Sequence, residues 1–484
     1  MKNLFYIFLF SLLFTSVNYS QTFDGDWNCA YATWDDQPNS TGHNTPAVAV
    51  VKPNTFVALV NRRAAVGNYL VGYTNATDST GRMGYYAYGS SGIGTYQMPW
   101  VSGFDLVLMT EAQDLAASRD SMIYVANNDP ERNILVFKMG ADSIYSADYR
   151  LATNADSIWG IDVDDFGRVY VTVIRPGQPG QVRVYAGIND NAEWGGGHAG
   201  TALQTITVPD TGNLYGVTAT GDGSVIYISN YTLRKVYCYT GSPATGYTQL
   251  TSFQATLNDT LTSSGGVFVN SGPIGMNIMR GKNILAVATS VIFTTGAGYE
   301  LSRTYLLNPN TGAVLDTVDH AAWNFMMTGS FSNRGNGGLQ PQVSGYASNY
   351  AADWDDDGGL YTVSHYGWTV DKWAFTGTLP TIPLTIVSVE KSENISPDGF
   401  SLSQNFPNPF NPATTIEFSL AQDEMVNLSV YDINGQLVTE LISSSMEKGT
   451  YKYTFDASKL ASGTYIYTLK AGALTASKKM TLLK

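Results

Sequence analysis

Short runs of alternating apolar and polar residues, broken by acidic, glycine-bearing turns, fill residues 22–378. Alternation with a period of two places apolar side chains on one face of an extended chain, so these runs predict β-strands. Three segments repeat one order: WGIDVDDFGRVYVTV from Trp159, YGVTATGDGSVIYIS from Tyr215 and YAADWDDDGGLYTVS from Tyr350. Each reads aromatic residue, small residue, alternating strand, acidic glycine turn, then apolar–Tyr–apolar. The shared tyrosine falls at Tyr170, Tyr227 and Tyr361. A fourth copy, LAASRDSMIYVANN, puts Tyr124 there, and weaker copies put Phe56 and Leu285 there. A third strand follows most copies: NILVFKM, QVRVYAG, LRKVYCYTG, RTYLLNP and VDKWAFTG. No long 3.6-residue apolar period appears, so few helices are expected.

Strand, acidic hairpin, strand, loop, strand is the build of a propeller blade, which takes about 40–50 residues and leaves only short sheet edges exposed. The region also resembles the NHL-repeat and related β-propellers. Asp164-Asp165-Phe166-Gly167 and Asp355-Asp356-Asp357-Gly358 match their first hairpin turn, whereas the copy at Gly221-Asp222-Gly223 is shifted. The predicted fold is all-β: a β-propeller of six to seven blades over residues 22–378, followed by a smaller unit. Residues 379–399 carry Pro, Ser and Asn without a repeat and are expected to be a linker.

From residue 400 the pattern changes. Three prolines among asparagines open FSLSQNFPNPFNPATTIEFSL, and VNLSVYDINGQLVTEL then flanks Asn434-Gly435 with alternating runs, a strong hairpin signal. GTYKYTFDASKL, SGTYIYTLKAG and SKKMTLLK add further strands. About seven short strands in so few residues predict a small Ig-like β-sandwich. The segment 400–484 closely resembles the type A C-terminal sorting domain of the bacterial type IX secretion system. The matching residues are Asn405-Phe406-Pro407-Asn408-Pro409-Phe410-Asn411-Pro412, Tyr431-Asp432-Ile433-Asn434-Gly435, Gly449, Ser462-Gly463-Thr464-Tyr465 and Lys478-Lys479-Met480. The resemblance implies export across both membranes of a Bacteroidota-like bacterium, with the type IX secretion machinery as partner of residues 400–484 and a destination outside the cell or on its surface.

The opening agrees. Lys2, an apolar run from Leu4 to Phe14, and small or polar Ser16, Ser20 and Gln21 read as a secretory signal peptide over residues 1–20. That run is too short to span a bilayer comfortably and no other follows, so no transmembrane span is expected.

Charge narrows the partners. The net charge is −13 and charged residues make up only 14% of the chain, which disfavours a phosphate-backbone ligand and therefore nucleic acid. Cys29 and Cys238 permit at most one disulfide, and spacing alone does not say whether they pair.

Candidate chemistry is sparse. Asp353-x-Asp355-x-Asp357-Gly358 fits the first half of a calcium loop, but Ser364 stands where the closing Glu is expected. The competing reading is a hairpin turn in which Asp and Gly satisfy the backbone without metal. Asp162-x-Asp164 is a weaker version of the same pattern. No nucleophile elbow, phosphate loop or zinc-protease motif is present. His43, His198, His320 and His365 stand far apart in sequence.

In a propeller, the starts of the first strands and the loops after the second strands share one face. That face is expected to gather Trp159, Tyr215 and Tyr350 with Arg175, Asn230, His365 and Trp368, a composition suited to a ligand pocket. The competing reading is that these aromatics plug the channel as core. Three functions follow: a surface or secreted binding module for a carbohydrate or protein, a hydrolase or lyase with a calcium-assisted central site, or a structural component of an extracellular assembly.

Overall fold

The computed structural model describes residues 23–33, 43–62, 68–76, 82–87, 112–128, 133–139, 144–153, 157–188, 194, 200–262, 268–292, 297–330, 346–367, 369–385, 389–391, 399–422, 424–446, 448–457, 460–472 and 474–483. The predicted signal peptide, His198 and Trp368 lie outside them.

Among the described residues, six antiparallel sheets of four main strands surround one channel. Blade 1 runs His43–Lys52, Thr55–Arg62, Asn68–Tyr73, Arg82–Ala87, and blade 2 runs Ala112–Ala117, Met122–Asn127, Ile134–Met139, Ile144–Leu151. Blade 3 comprises Ile158–Val163, Val169–Val173, Pro179–Tyr185, Gln204–Thr211. Blade 4 comprises Leu214–Ala219, Val225–Asn230, Lys235–Ser242, Gly246–Gln249, with short Ala255–Thr256 added. Blade 5 comprises Gly272–Ile278, Leu285–Ser290, Arg303–Leu307, Val314–Asp319. Blade 6 takes three strands from late in the propeller, Asn349–Trp354, Leu360–Ser364 and Thr369–Phe375. Its fourth, Trp27–Ala32, comes from the start of the chain and pairs with Thr369–Phe375. Each first strand packs between the first strands of its two neighbours, and blade 6 meets blade 1, so the ring is closed and its edges are protected.

The repeat has a physical reason. Tyr170, Tyr227 and Tyr361 are each fully buried between blades, and a buried phenol needs a partner. Tyr170 Oη donates to Asp164 (2.8 Å) and Tyr361 Oη donates to Asp355 (3.0 Å), the acidic residues of their own hairpin turns. Those aspartates also accept the turn's backbone N–H groups: Phe166 and Arg168 on Asp164, Asp357 and Gly359 on Asp355. Acidic turn and tyrosine are therefore one hydrogen-bonded unit. In blade 4, Asp222 is held by Thr220 and Ser224 instead, and Tyr227 donates to the Pro309 carbonyl (2.8 Å).

The aromatic–small pair is a β-bulge. The pairing of first and second strands slips between Ile158 and Ile161, Leu214 and Val217, Pro273 and Met276, and Asn349 and Ala352. It slips likewise between Asn44 and Ala47 and between Ala112 and Asp114, so all six innermost strands are bulged at one level. A bulge bends its strand and re-aims a side chain. The small residue follows from crowding. A Cβ on Gly160 would lie 2.4 Å from the Tyr215 carbonyl oxygen, and one on Gly216 would lie 2.2 Å from that of Ile274. Glycine lets the bulged strands of adjacent blades approach backbone to backbone.

Described residues from 389 to 483 form two four-stranded antiparallel sheets around one core that includes Phe410, Phe418, Leu428, Tyr467 and Met480. One sheet runs Leu437–Met446, Glu424–Tyr431, Gly463–Ala471, Leu474–Leu482; the other holds Val389–Lys391, Gly449–Asp456, Ala413–Leu420 and Ser401–Leu402. The segment 379–399 is thus not plain linker. Leu379 and Ile382 pack against the propeller, and Val389–Lys391 forms an edge strand beside Gly449–Asp456.

Candidate functional site

The six bulges open onto one cavity of about 460 Å³ at the channel mouth. Its rim carries one bulge residue from each blade: Pro46, Gln113, Trp159, Tyr215, Ile274 and Tyr350. Side chains that alternate along a regular strand would leave these residues between blades; the extra residue of each bulge turns them to the lumen. Trp159 and Tyr215 are tilted against one another with ring centroids 4.2 Å apart, and Tyr231 continues the group at 5.5 Å from Tyr215. Across the mouth the His365 ring stacks on Tyr350 at 4.0 Å and 9°, and Tyr366 meets both edge-on. Trp159, His365 and Tyr366 are half-buried, while Tyr215 and Tyr350 are nearly covered and also belong to the inter-blade core. The aromatics therefore serve packing and lining together.

Trp159, Tyr215, Tyr350 and His365 share this cavity; Arg175 and Asn230 do not line it, and Trp368 lies outside the described residues. Arg175 stays within its own loop, donating to the Pro179 carbonyl (3.4 Å) and to Gln178. Asn230 is fully buried and accepts the Leu233 N–H (3.0 Å), a turn role. The lining adds Asn44, Asn61, Asp114 and Ile292, which carry no repeat signature.

The calcium-loop candidates Asp353, Asp355 and Asp357 each have other partners in the structure. Asp353 accepts the N–H of Val50 in blade 1 (2.7 Å) and of Trp354 (2.8 Å). Asp355 is taken up by its turn, by Tyr361 and by Lys372 Nζ (3.1 Å), while Asp357 is exposed. The residues do not fit a metal site, and among the described residues no three His, Cys, Asp or Glu side chains gather as one could require. The strand ends at Trp354, so Asp353 is held in the channel wall while Asp355 begins the turn. Cys29 and Cys238 are both buried and unpaired.

Asp353 is one of three carboxyls that lace the channel wall. Asp162 accepts the N–H of Val163 (2.8 Å), the N–H of Ala219 (2.8 Å) and the hydroxyl of Thr218 (2.8 Å), joining blade 3 to blade 4. Thr218 in turn accepts the N–H of Ile278 in blade 5 (3.2 Å). Asp114 accepts the N–H of Leu115 (2.9 Å) and of Ile161 in blade 3 (3.1 Å). Desolvation pushes the Asp353 carboxyl up to about 7 and the Asp114 carboxyl up to about 8, and Asp162 moves in the same direction. Asp162 and Asp353 line a second cavity of about 310 Å³ at the far end of the channel, beside Arg280.

In the C-terminal unit, the asparagine–proline opening is fastened to the last strand. Asn408 Oδ1 accepts the N–H of Thr481 (2.9 Å), Phe410 N–H donates to the Thr481 carbonyl (3.0 Å), and Leu483 N–H donates to the Phe410 carbonyl (2.9 Å). Asn405 Nδ2 donates to Thr414 (2.9 Å), and Phe410 fills the core. The two motifs at opposite ends of the segment are thus one physical site. Residues 404–482 match the family described as secretion system C-terminal sorting domain. This is the type IX sorting domain. With it the chain is a secreted protein of that pathway, of a kind often attached to the cell surface. Among the described residues, no helix is long and apolar enough to cross a membrane.

Solved structures similar to the chain are propellers. The surface component PorZ of the type IX secretion system of Porphyromonas gingivalis is 13% identical, with 90% of this chain and 51% of that one covered and a TM-score of 0.32. The chain therefore spans about half the length of PorZ. A calcium-binding protein, regucalcin, from Agrobacterium tumefaciens is 12% identical, covering 74% and 98%, with a TM-score of 0.41. Virginiamycin B lyase from Staphylococcus aureus is 9% identical, covering 72% and 99%, with a TM-score of 0.38. No curated protein matches the sequence.

Proposed function

We propose that the propeller is a binding module carried out of the cell by the sorting domain, and that its channel mouth takes up a saccharide. The observation that supports this reading most is the convergence of Trp159, Tyr215 and Tyr350, from three different blades, on one cavity of about 460 Å³. That volume suits a small ligand. The C–H faces of a pyranose stack on aromatic rings, and Asn44, Asn61 and Gln113 on the same lining supply donors and acceptors for hydroxyl groups.

Titration calorimetry with a panel of soluble oligosaccharides tests it. Trp159→Ala removes the half-buried ring of the rim while leaving the bulge backbone in place. The expected result is a saccharide that binds the native protein and is held roughly tenfold more weakly by the variant, the loss of about 1–2 kcal/mol of stacking. A saccharide bound equally well by Trp159→Ala, or a panel with no binder, contradicts the reading. A protein ligand captured at the same mouth would replace it.

A further inference from the structure

The six bulges allow the blades to be compared residue by residue. Tyr124, Tyr170, Tyr227 and Tyr361 pair with Ala116, Asp162, Thr218 and Asp353 of their first strands. Two residues earlier, at the crowded position of the bulge, stand Asp114, Gly160, Gly216 and Ala351. Gly275 takes this place in blade 5 and Pro46 in blade 1, each directly before the residue at which regular pairing resumes. Five blades therefore carry glycine, alanine or proline there, with no polar side-chain atom, and blade 2 alone carries a carboxyl. Both Asp114 oxygens accept a backbone N–H, which fixes the group at the cavity wall, and part of its surface remains open to the lumen. Among the described residues, neither Lys nor Arg lines the cavity, and His365 is the other titratable side chain there apart from the tyrosines.

We propose, on the basis of the saccharide reading above, that Asp114 determines the specificity of the mouth by pairing with the ammonium group of an amino sugar. An ammonium held against a carboxylate with aromatic faces around it gains the ion pair and a cation–π contribution from Trp159, Tyr215 and Tyr350. It also relieves the repulsion among Asp114, Asp162 and Asp353. Arg280 acts on Asp162 and Asp353, but it sits at the far cavity and is paired with Asp165 (2.7 Å).

Burial first, then the charges of Asp162 and Asp353, hold the free Asp114 carboxyl up to about 8, so it is largely protonated at pH 6. Docking an ammonium favours the ionised form, so at pH 6, where a sugar amine is charged, binding releases a proton. Sugar amines lose their own proton near neutrality, so affinity rises with pH only until the amine deprotonates and falls beyond that point.

Tetramers of glucosamine and of N-acetylglucosamine, which differ only in acetylation of the nitrogen, provide the probe. The native protein is expected to bind the free-amine tetramer at least about tenfold more tightly at pH 6, where its amines are charged, with proton release at that pH measured from the dependence of binding heat on buffer. Asp114→Asn should erase both the preference and the proton release. Equal or tighter binding of the acetylated tetramer, or release of no proton by the native protein, overturns the assignment while leaving a saccharide site standing. If no saccharide of any kind binds, the parent reading fails instead. The native measurements decide the matter even if Asp114→Asn does not fold.

Discussion

A chain ending at residue 399 stays inside the cell envelope. The sorting domain has its own core, running from Leu402 to Leu482, and none of its residues enters the six hydrophobic clusters of the propeller. Its removal therefore leaves the blades, their interfaces and the closing strand Trp27–Ala32 intact. What is lost is the surface formed by the asparagine–proline opening clamped on the strand of Lys478 and Lys479. The expected outcome is complete loss of the protein from the medium and cell surface, with folded propeller accumulating in the periplasm, measured by fractionation and immunoblotting. A truncated chain found outside the cell at native levels would show that the label lies elsewhere.

Asp162→Ala is expected to be the most damaging single substitution in the propeller. Three donors point at this buried carboxyl: the N–H groups of Val163 and Ala219 and the hydroxyl of Thr218. Removing it orphans all three, at roughly 1–3 kcal/mol for each buried group left without a partner. It also frees Thr218, through which blade 5 is held at Ile278. Even the lower end is a large part of the roughly 5–15 kcal/mol that keeps a domain folded. The midpoint of urea unfolding should fall steeply. Asp162→Asn, which keeps one acceptor, should lie between the variant and the native protein. An unchanged midpoint in Asp162→Ala would mean that the blades are held by apolar packing alone.

Much of this architecture was legible in the chain because the repeat is made of groups that need each other. A buried tyrosine without its acidic turn leaves a phenol unpaired, so Asp164 with Tyr170 and Asp355 with Tyr361 recur together and mark their blades. The aromatic–glycine pair was legible as a pattern, but its meaning as a bulge was not, because a bulge is a relation between two strands. The weak copies show the limit. Where no tyrosine holds the register, the bulges put Ala58 and Ala286, rather than Phe56 and Leu285, at the tyrosine's level. Asp114 escaped for a related reason. Its strand, AQDLAA, has neither aromatic nor glycine at the bulge, and only counting back from Tyr124 brings it to the mouth. The three aspartates of the calcium-loop pattern take separate roles because the strand ends at Trp354, a boundary that spacing does not record: Asp353 stays in the wall, and Asp355 and Asp357 belong to the turn. The strand Trp27–Ala32 has no repeat signature, since it completes a blade begun more than three hundred residues later.

A crystal of the propeller soaked with the oligosaccharide that binds best in solution tests the account most directly. The account predicts a sugar ring at the channel mouth, lying against Trp159 and Tyr215 with a polar atom within hydrogen-bonding distance of Asp114. Density on the outer blade surfaces, at the Arg280 end of the channel or on the sorting domain, with the mouth left to water, would contradict it.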